Sequence, residues 1–184
     1  MIFSLWLSKI ERAFSIAAAI ILFAIMVIVA SDVAMRYLLN APFIWSYDLI
    51  SLYLELALFY FALSRTFDTH GHVGVDILHY YVTPRVRRIF EILTCAVALP
   101  LFALMTYAGV VRAAAALAGS DVIAGLIAWP TWISIALVPV GAGLLTLRLA
   151  VNLAAHATSL ATGIDTIPLP PLARSAEGGN GVFE

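Results

Sequence analysis

AFSIAAAIILFAIMVIVAS, residues Ala13 to Ser31, runs nineteen residues without a charge. An α-helix of about 20 apolar residues crosses the ~30 Å hydrocarbon core of a bilayer, where only the helix itself can satisfy its backbone amides. Three further blocks follow: Leu49 to Ser64 with a single acid, Glu55; Ile92 to Val111; and Val122 to Leu147. The shortest, of sixteen residues, reaches spanning length once Ile44 to Tyr47 join it. Four such blocks in 184 residues predict an all-α integral membrane protein, with transmembrane helices at 13–35, 45–65, 86–111 and 122–148. Together they make one membrane domain over residues 1–160.

Composition points the same way. The chain is 63% hydrophobic and 11% charged, against roughly 25% charged in ordinary soluble domains. A net charge of −1 gives no reason to expect nucleic acid as a partner. Cys95 is alone and inside the third block, so it reads as a buried apolar side chain and forms no intrachain disulfide. Lys9 and Arg12 ahead of an apolar run imitate a secretory signal. Secretory apolar regions are about 7–15 residues long, however, so this run reads as an uncleaved helix.

Basic residues set the expected orientation. The amino terminus carries Lys9 and Arg12, the second loop Arg65, Arg85, Arg87 and Arg88, and the tail Arg148 and Arg174. The first and third loops carry only Arg36 and Arg112. Short loops rich in Lys and Arg stay in the cytoplasm, so both termini and the second loop are expected there. The tail, 161–184, contains Ile167-Pro-Leu-Pro-Pro171 and Gly178-Gly-Asn-Gly181. It reads as a disordered, Pro/Gly-rich cytoplasmic segment.

The polar residues that remain need reasons. Asp32 and Arg36 stand four apart at the outer end of the first helix, on one face, where they can pair. Tyr37, Asn40, Pro42, Trp45 and Asp48 follow closely, with Asn40-Ala-Pro42 as a turn signal. Phe43, Trp45 and Tyr47 are types that settle at headgroup level, so this first periplasmic loop is expected to run along the membrane surface. Glu55 is the costliest residue, because an ionised carboxylate at mid-membrane costs at least ~2.5–3.5 kcal/mol. Asp48, Ser51, Glu55 and Ala62 share one helical stripe, which should face protein. Ion pathways recruit several polar groups, so Glu55 reads as a helix contact, bonded to a partner helix or to Ser51, rather than as an ion or proton site.

His70, His72 and His79 lie in one loop and His156 past the fourth block, where none can face another across a haem. No cysteine or carboxylate cluster supports a metal among them, so neither metal nor cofactor is expected. Pro84 suits the first turn of helix three, with the arginines after it meeting anionic headgroups. Trp129, Pro130 and Trp132 read as interfacial anchors at the start of helix four, and Gly141 and Gly143 as places of close helix approach. No nucleophile elbow, phosphate-binding glycine loop or HExxH motif is present, so the chain reads as a partner and not an enzyme.

These positions, in order, resemble one family. Asp32-x3-Arg36-Tyr37-x2-Asn40-x-Pro42-x2-Trp45-x2-Asp48-Leu49 resembles the first-loop signature of the small permease subunit of tripartite ATP-independent periplasmic (TRAP) transporters, the DctQ family. Arg65 with His72-Val-Gly-Val-Asp76, then Pro84 and Arg87 or Arg88, is similar to its cytoplasmic loop. Pro130-x-Trp132 with Pro139-x-Gly141 is similar to its fourth-helix pattern. The likeness covers about residues 10–155; Asp48 stands where the family more often has Glu, and Phe61-Ala-Leu63 where it often has a glycine. The resemblance implies a multi-pass protein of the bacterial inner membrane. Its partners would be membrane lipids, a large permease that holds substrate and ion sites, and a periplasmic solute-binding protein that delivers an organic acid. The small subunit would brace the large one. Asp32, Arg36, Tyr37, Asn40, Trp45, Asp48 and Glu55 would touch the large permease or pin the first loop, and Arg65, His72 and Asp76 would order the cytoplasmic loop. Two rival readings are a self-contained homodimeric transporter working through Glu55, and a haem-bearing electron-transfer subunit.

Overall fold

The computed structural model describes residues 2–69, 82–124 and 127–163, together with 167 and 169. Its order is α1 (Ile2–Leu39), α2 (Ser46–Leu49), a π-helical turn (Ile50–Leu54), α3 (Glu55–Asp68), α4 (Pro84–Gly119), β1 (Val122–Ile123), β2 (Trp129–Pro130) and α5 (Thr131–Thr162). α2, the π turn and α3 run on as one span, so four helices are long and apolar enough to cross a membrane.

All four helices end beyond their apolar runs. α1 has 38 residues, about 57 Å at 1.5 Å per residue. Hydropathy marks what lies in lipid, whereas the backbone ladder continues until a residue breaks it. Asn40, at φ 53, ends α1, and Ser120, at φ 50, ends α4. Pro84 opens α4 at its first turn, where a missing amide hydrogen costs nothing.

The fourth helix is displaced from its expected place. Residues 122–123 and 129–130, expected in helix, instead pair as two short antiparallel strands, with Val122 opposite Pro130 and Ile123 opposite Trp129. Pro130 lacks an amide hydrogen and keeps Trp129 extended, so the helix begins after it. α5 then passes the expected end at 148 and carries His156 within it, not beyond it.

Helix packing follows a row. α1 packs on α3, α3 on α5, and α5 on α4. Cys95 of α4 meets Leu145 and Leu149 of α5, with Leu63 and Phe67 of α3 closing the layer. At Gly141 a Cβ would lie 2.3 Å from the Tyr60 carbonyl oxygen, so α3 and α5 touch backbone to backbone there. At Gly143 the nearest atom would be 3.4 Å away, an ordinary contact. The two outermost helices of the row stay apolar outside: Ile20, Phe23 and Val27 on α1, and Leu93, Val97 and Leu101 on α4, are all exposed in the single chain.

Candidate functional site: three polar clusters on an apolar row

At one end, Asp32, about two turns before the close of α1, holds the loop behind it. Its Oδ2 accepts from Arg36 at 2.8 Å, and its Oδ1 accepts the Phe43 amide at 2.7 Å. Ser46 donates to the Phe43 carbonyl at 2.8 Å, and the Phe43 and Trp45 rings stack with centroids 5.4 Å apart. Asp32 is buried, while the Arg36 side chain stays 60% exposed, so the carboxylate and not the guanidinium is the pin. Tyr37, Asn40 and Trp45 point outward from this corner, with Asp48 half-buried beside them.

The strand pair lies against the second span. The Tyr53 hydroxyl donates to the Pro130 carbonyl at 2.7 Å, and the Tyr53 and Trp129 rings meet at 5.6 Å. Trp129 and Pro130 are half-buried by these contacts, and Trp132 stays exposed at the first turn of α5.

Glu55 sits where the π turn passes into α3. The turn adds a residue to one helical turn and swings the stripe that follows. Among the described residues Glu55 has no hydrogen bond or ion pair. The Ser51 hydroxyl, one expected partner, donates to the Tyr47 carbonyl at 2.8 Å instead. Glu55 faces out of the chain into a groove that includes Ser51, Leu58 and Phe59.

The third cluster went unread in the sequence. Glu11 and Arg148 are 0% and 3% exposed and meet bidentately. Arg148 Nε donates to Glu11 Oε1 at 2.8 Å, and its Nη2 donates both to Glu11 Oε2 and to Ser8 Oγ. Ser64 Oγ donates to Glu11 Oε1 at 2.6 Å, and Asp68 lies 3.2 Å from Arg148 Nη1. Arg65, expected in the cytoplasmic loop, belongs to the last turn of α3 and pairs with Asp68 at 3.0 Å. α1, α3 and α5 are thus tied by charge at one level. Glu11 was hidden between Lys9 and Arg12 as one charge in a basic end. Arg148 was hidden as the first residue of a tail, although Leu147 and Leu149 flank it and mark it as belonging to an apolar helix.

His72 and Asp76 lie outside the described residues, as does the tail from residue 170. Among the described residues no group of three His, Cys, Asp or Glu side chains could hold a metal. The Asp32 corner and the Glu11–Arg148 cluster hold helices and loop together, and Glu55 is an acid that faces outward. The chain matches no curated protein and no solved structure. Residues 25–159, about three quarters of the chain, match the family described as tripartite ATP-independent periplasmic transporters, DctQ component. The match takes in α3, α4, most of α5 and the Asp32 corner, and the chain belongs to that family, the small permease subunits of TRAP transporters.

Proposed function

We propose that this chain braces the large permease of its transporter in the bacterial inner membrane. The permease would import an organic acid, a dicarboxylate or similar, delivered by a periplasmic binding protein and driven by an ion gradient. The observation that carries this reading is Glu55, an acid within a spanning helix that faces away from its own chain. A carboxylate left in lipid costs at least ~2.5–3.5 kcal/mol, so such a residue calls for cover by protein. The exposed apolar residues of α1 and α4 offer a face to a larger neighbour. Asp32, Arg36, Tyr37, Asn40, Trp45 and Asp48 would extend that contact to the periplasmic edge. Trp129, Pro130 and Trp132 would rest at headgroup level, and His72 and Asp76 would order the cytoplasmic loop.

The test is affinity purification of the tagged chain from native membranes in mild detergent. A larger multi-helix protein should co-purify with the wild type and be lost, at least tenfold, from Glu55→Leu, with the amount of inserted chain unchanged. Undiminished complex and transport in Glu55→Leu would overturn the reading. A stable homo-oligomer without a larger partner would favour the rival in which Glu55 serves a self-contained transporter.

A further inference from the structure

We propose that the corner where α4 begins and α5 ends is a binding pocket for a phosphate group, supplied by an anionic phospholipid or free in solution. A cavity of about 220 Å³ opens there, walled by Pro84, Arg85, Arg88, Ser159 and Leu160. At ~30 Å³ per water it has room for roughly seven waters. That admits a phosphate with its ester oxygens, but no acyl chain. Two of its lining residues are arginines, and no carboxylate lines it among the described residues. Arg88 is only 6% exposed, so its charge is held inside the protein and not spread into solvent. Arg85 stands exposed at the rim and forms no ion pair among the described residues. Guanidinium forks match phosphate oxygens bidentately, and two arginines line this space.

The Gly163 amide donates to the Ser159 carbonyl at 3.1 Å and closes the last turn of α5 beside the cavity. Depth also favours a ligand at the membrane surface. Cys95 packs at the level of Leu145 and Leu149. Thr131 to Leu149 covers about 27 Å, and Arg88 lies about 10 Å beyond Cys95, at 1.5 Å per residue. The cavity therefore falls just past a ~30 Å hydrocarbon core, within the headgroup layer.

The experiment is a thermal unfolding titration of the full-length chain in detergent, with short-chain phosphatidylglycerol in one arm and inorganic phosphate in the other. Phosphatidylglycerol should raise the midpoint saturably. Arg85→Gln should need roughly tenfold more lipid for half the effect, the loss of one charge-assisted contact. Arg12→Gln, an exposed arginine elsewhere, should behave as wild type. A saturable rise with phosphate alone, weakened equally by Arg85→Gln, makes the ligand a free phosphate. If neither compound gives a saturable rise, or Arg85→Gln responds as wild type does, the pocket is not a phosphate site. Arg88→Gln adds a second reading where it folds; Arg85, on the surface, keeps the test decisive where it does not.

Discussion

Glu11 and Arg148 are 137 residues apart in sequence and joined by two hydrogen bonds at one buried point. Such a pair adds little over well-packed apolar residues, yet breaking it strands a charge, at a cost of about 3–5 kcal/mol. Glu11→Leu leaves Arg148 with the Ser8 hydroxyl at 2.9 Å and with Asp68, at 3.2 Å, as its one remaining carboxylate among the described residues. It should lower stability by that order, as should Arg148→Met. Joining Glu11→Leu to Arg148→Met should recover most of the loss, and thermal unfolding of the three variants checks this; strictly additive losses would show the two residues uncoupled. Asp32 makes a different case. Its bond to Arg36 is largely solvated, so Arg36→Gln should cost under about 1 kcal/mol. Asp32→Ala also strips the acceptor from the Phe43 amide, a loss of about 1–3 kcal/mol. Exchanging the two charges would restore the ion pair but not that acceptor. Hydrogen exchange over residues 40–46 should therefore rise in Asp32→Ala and stay high in the exchanged double variant. Protection regained by the exchange would make the ion pair the pin.

At the level of elements, close approach decides more than hydropathy does. A Cβ at Gly141 would meet backbone on Tyr60, and backbone cannot swing aside as a side chain can. Gly141→Ala should force α3 and α5 apart and lower the unfolding midpoint by several degrees, whereas Gly143→Ala, beside the Thr106 methyl at 3.4 Å, should be nearly neutral. Equal effects at both sites would deny the backbone contact. The sequence singled out both glycines but could not rank them, because spacing says which residues share a face and not which neighbour meets it. The same limit explains the other differences. Four spans were legible, since lipid imposes length and apolarity on each. The strand pair at 122–123 and 129–130 was not, because Val122, Ile123 and Trp129 are as apolar as helix and only Pro130 marked a break. The Asp32–Arg36 pair was legible because its partners are one helical turn apart. Glu11 with Arg148 was not, since that pairing exists only once α1 and α5 have folded to one level.

For the whole molecule, the row of helices sets two opposite ends with different chemistry. One end holds Asp32, Arg36, Arg112, Asp121 and the Trp129 strand; the other holds the Glu11–Arg148 cluster and Arg85, Arg87 and Arg88 at the start of α4. Four of the chain's basic residues, Arg65, Arg85, Arg87 and Arg88, lie at the facing ends of the second and third spans, so this second end is expected in the cytoplasm. Cys95 is 1% exposed, so the native thiol should stay silent to maleimides while the fold is intact. That permits labelling at sites of choice. Asn40→Cys lies exposed at the first corner, and Ala157→Cys is exposed toward the far end of α5. A membrane-impermeant maleimide applied to intact spheroplasts should modify Asn40→Cys and spare Ala157→Cys until the membrane is opened. The opposite pattern would invert the protein, put the phosphate pocket on the periplasmic side and remove Asp32 and Trp45 from reach of a periplasmic binding protein. The orientation thus decides which partner each polar corner can meet.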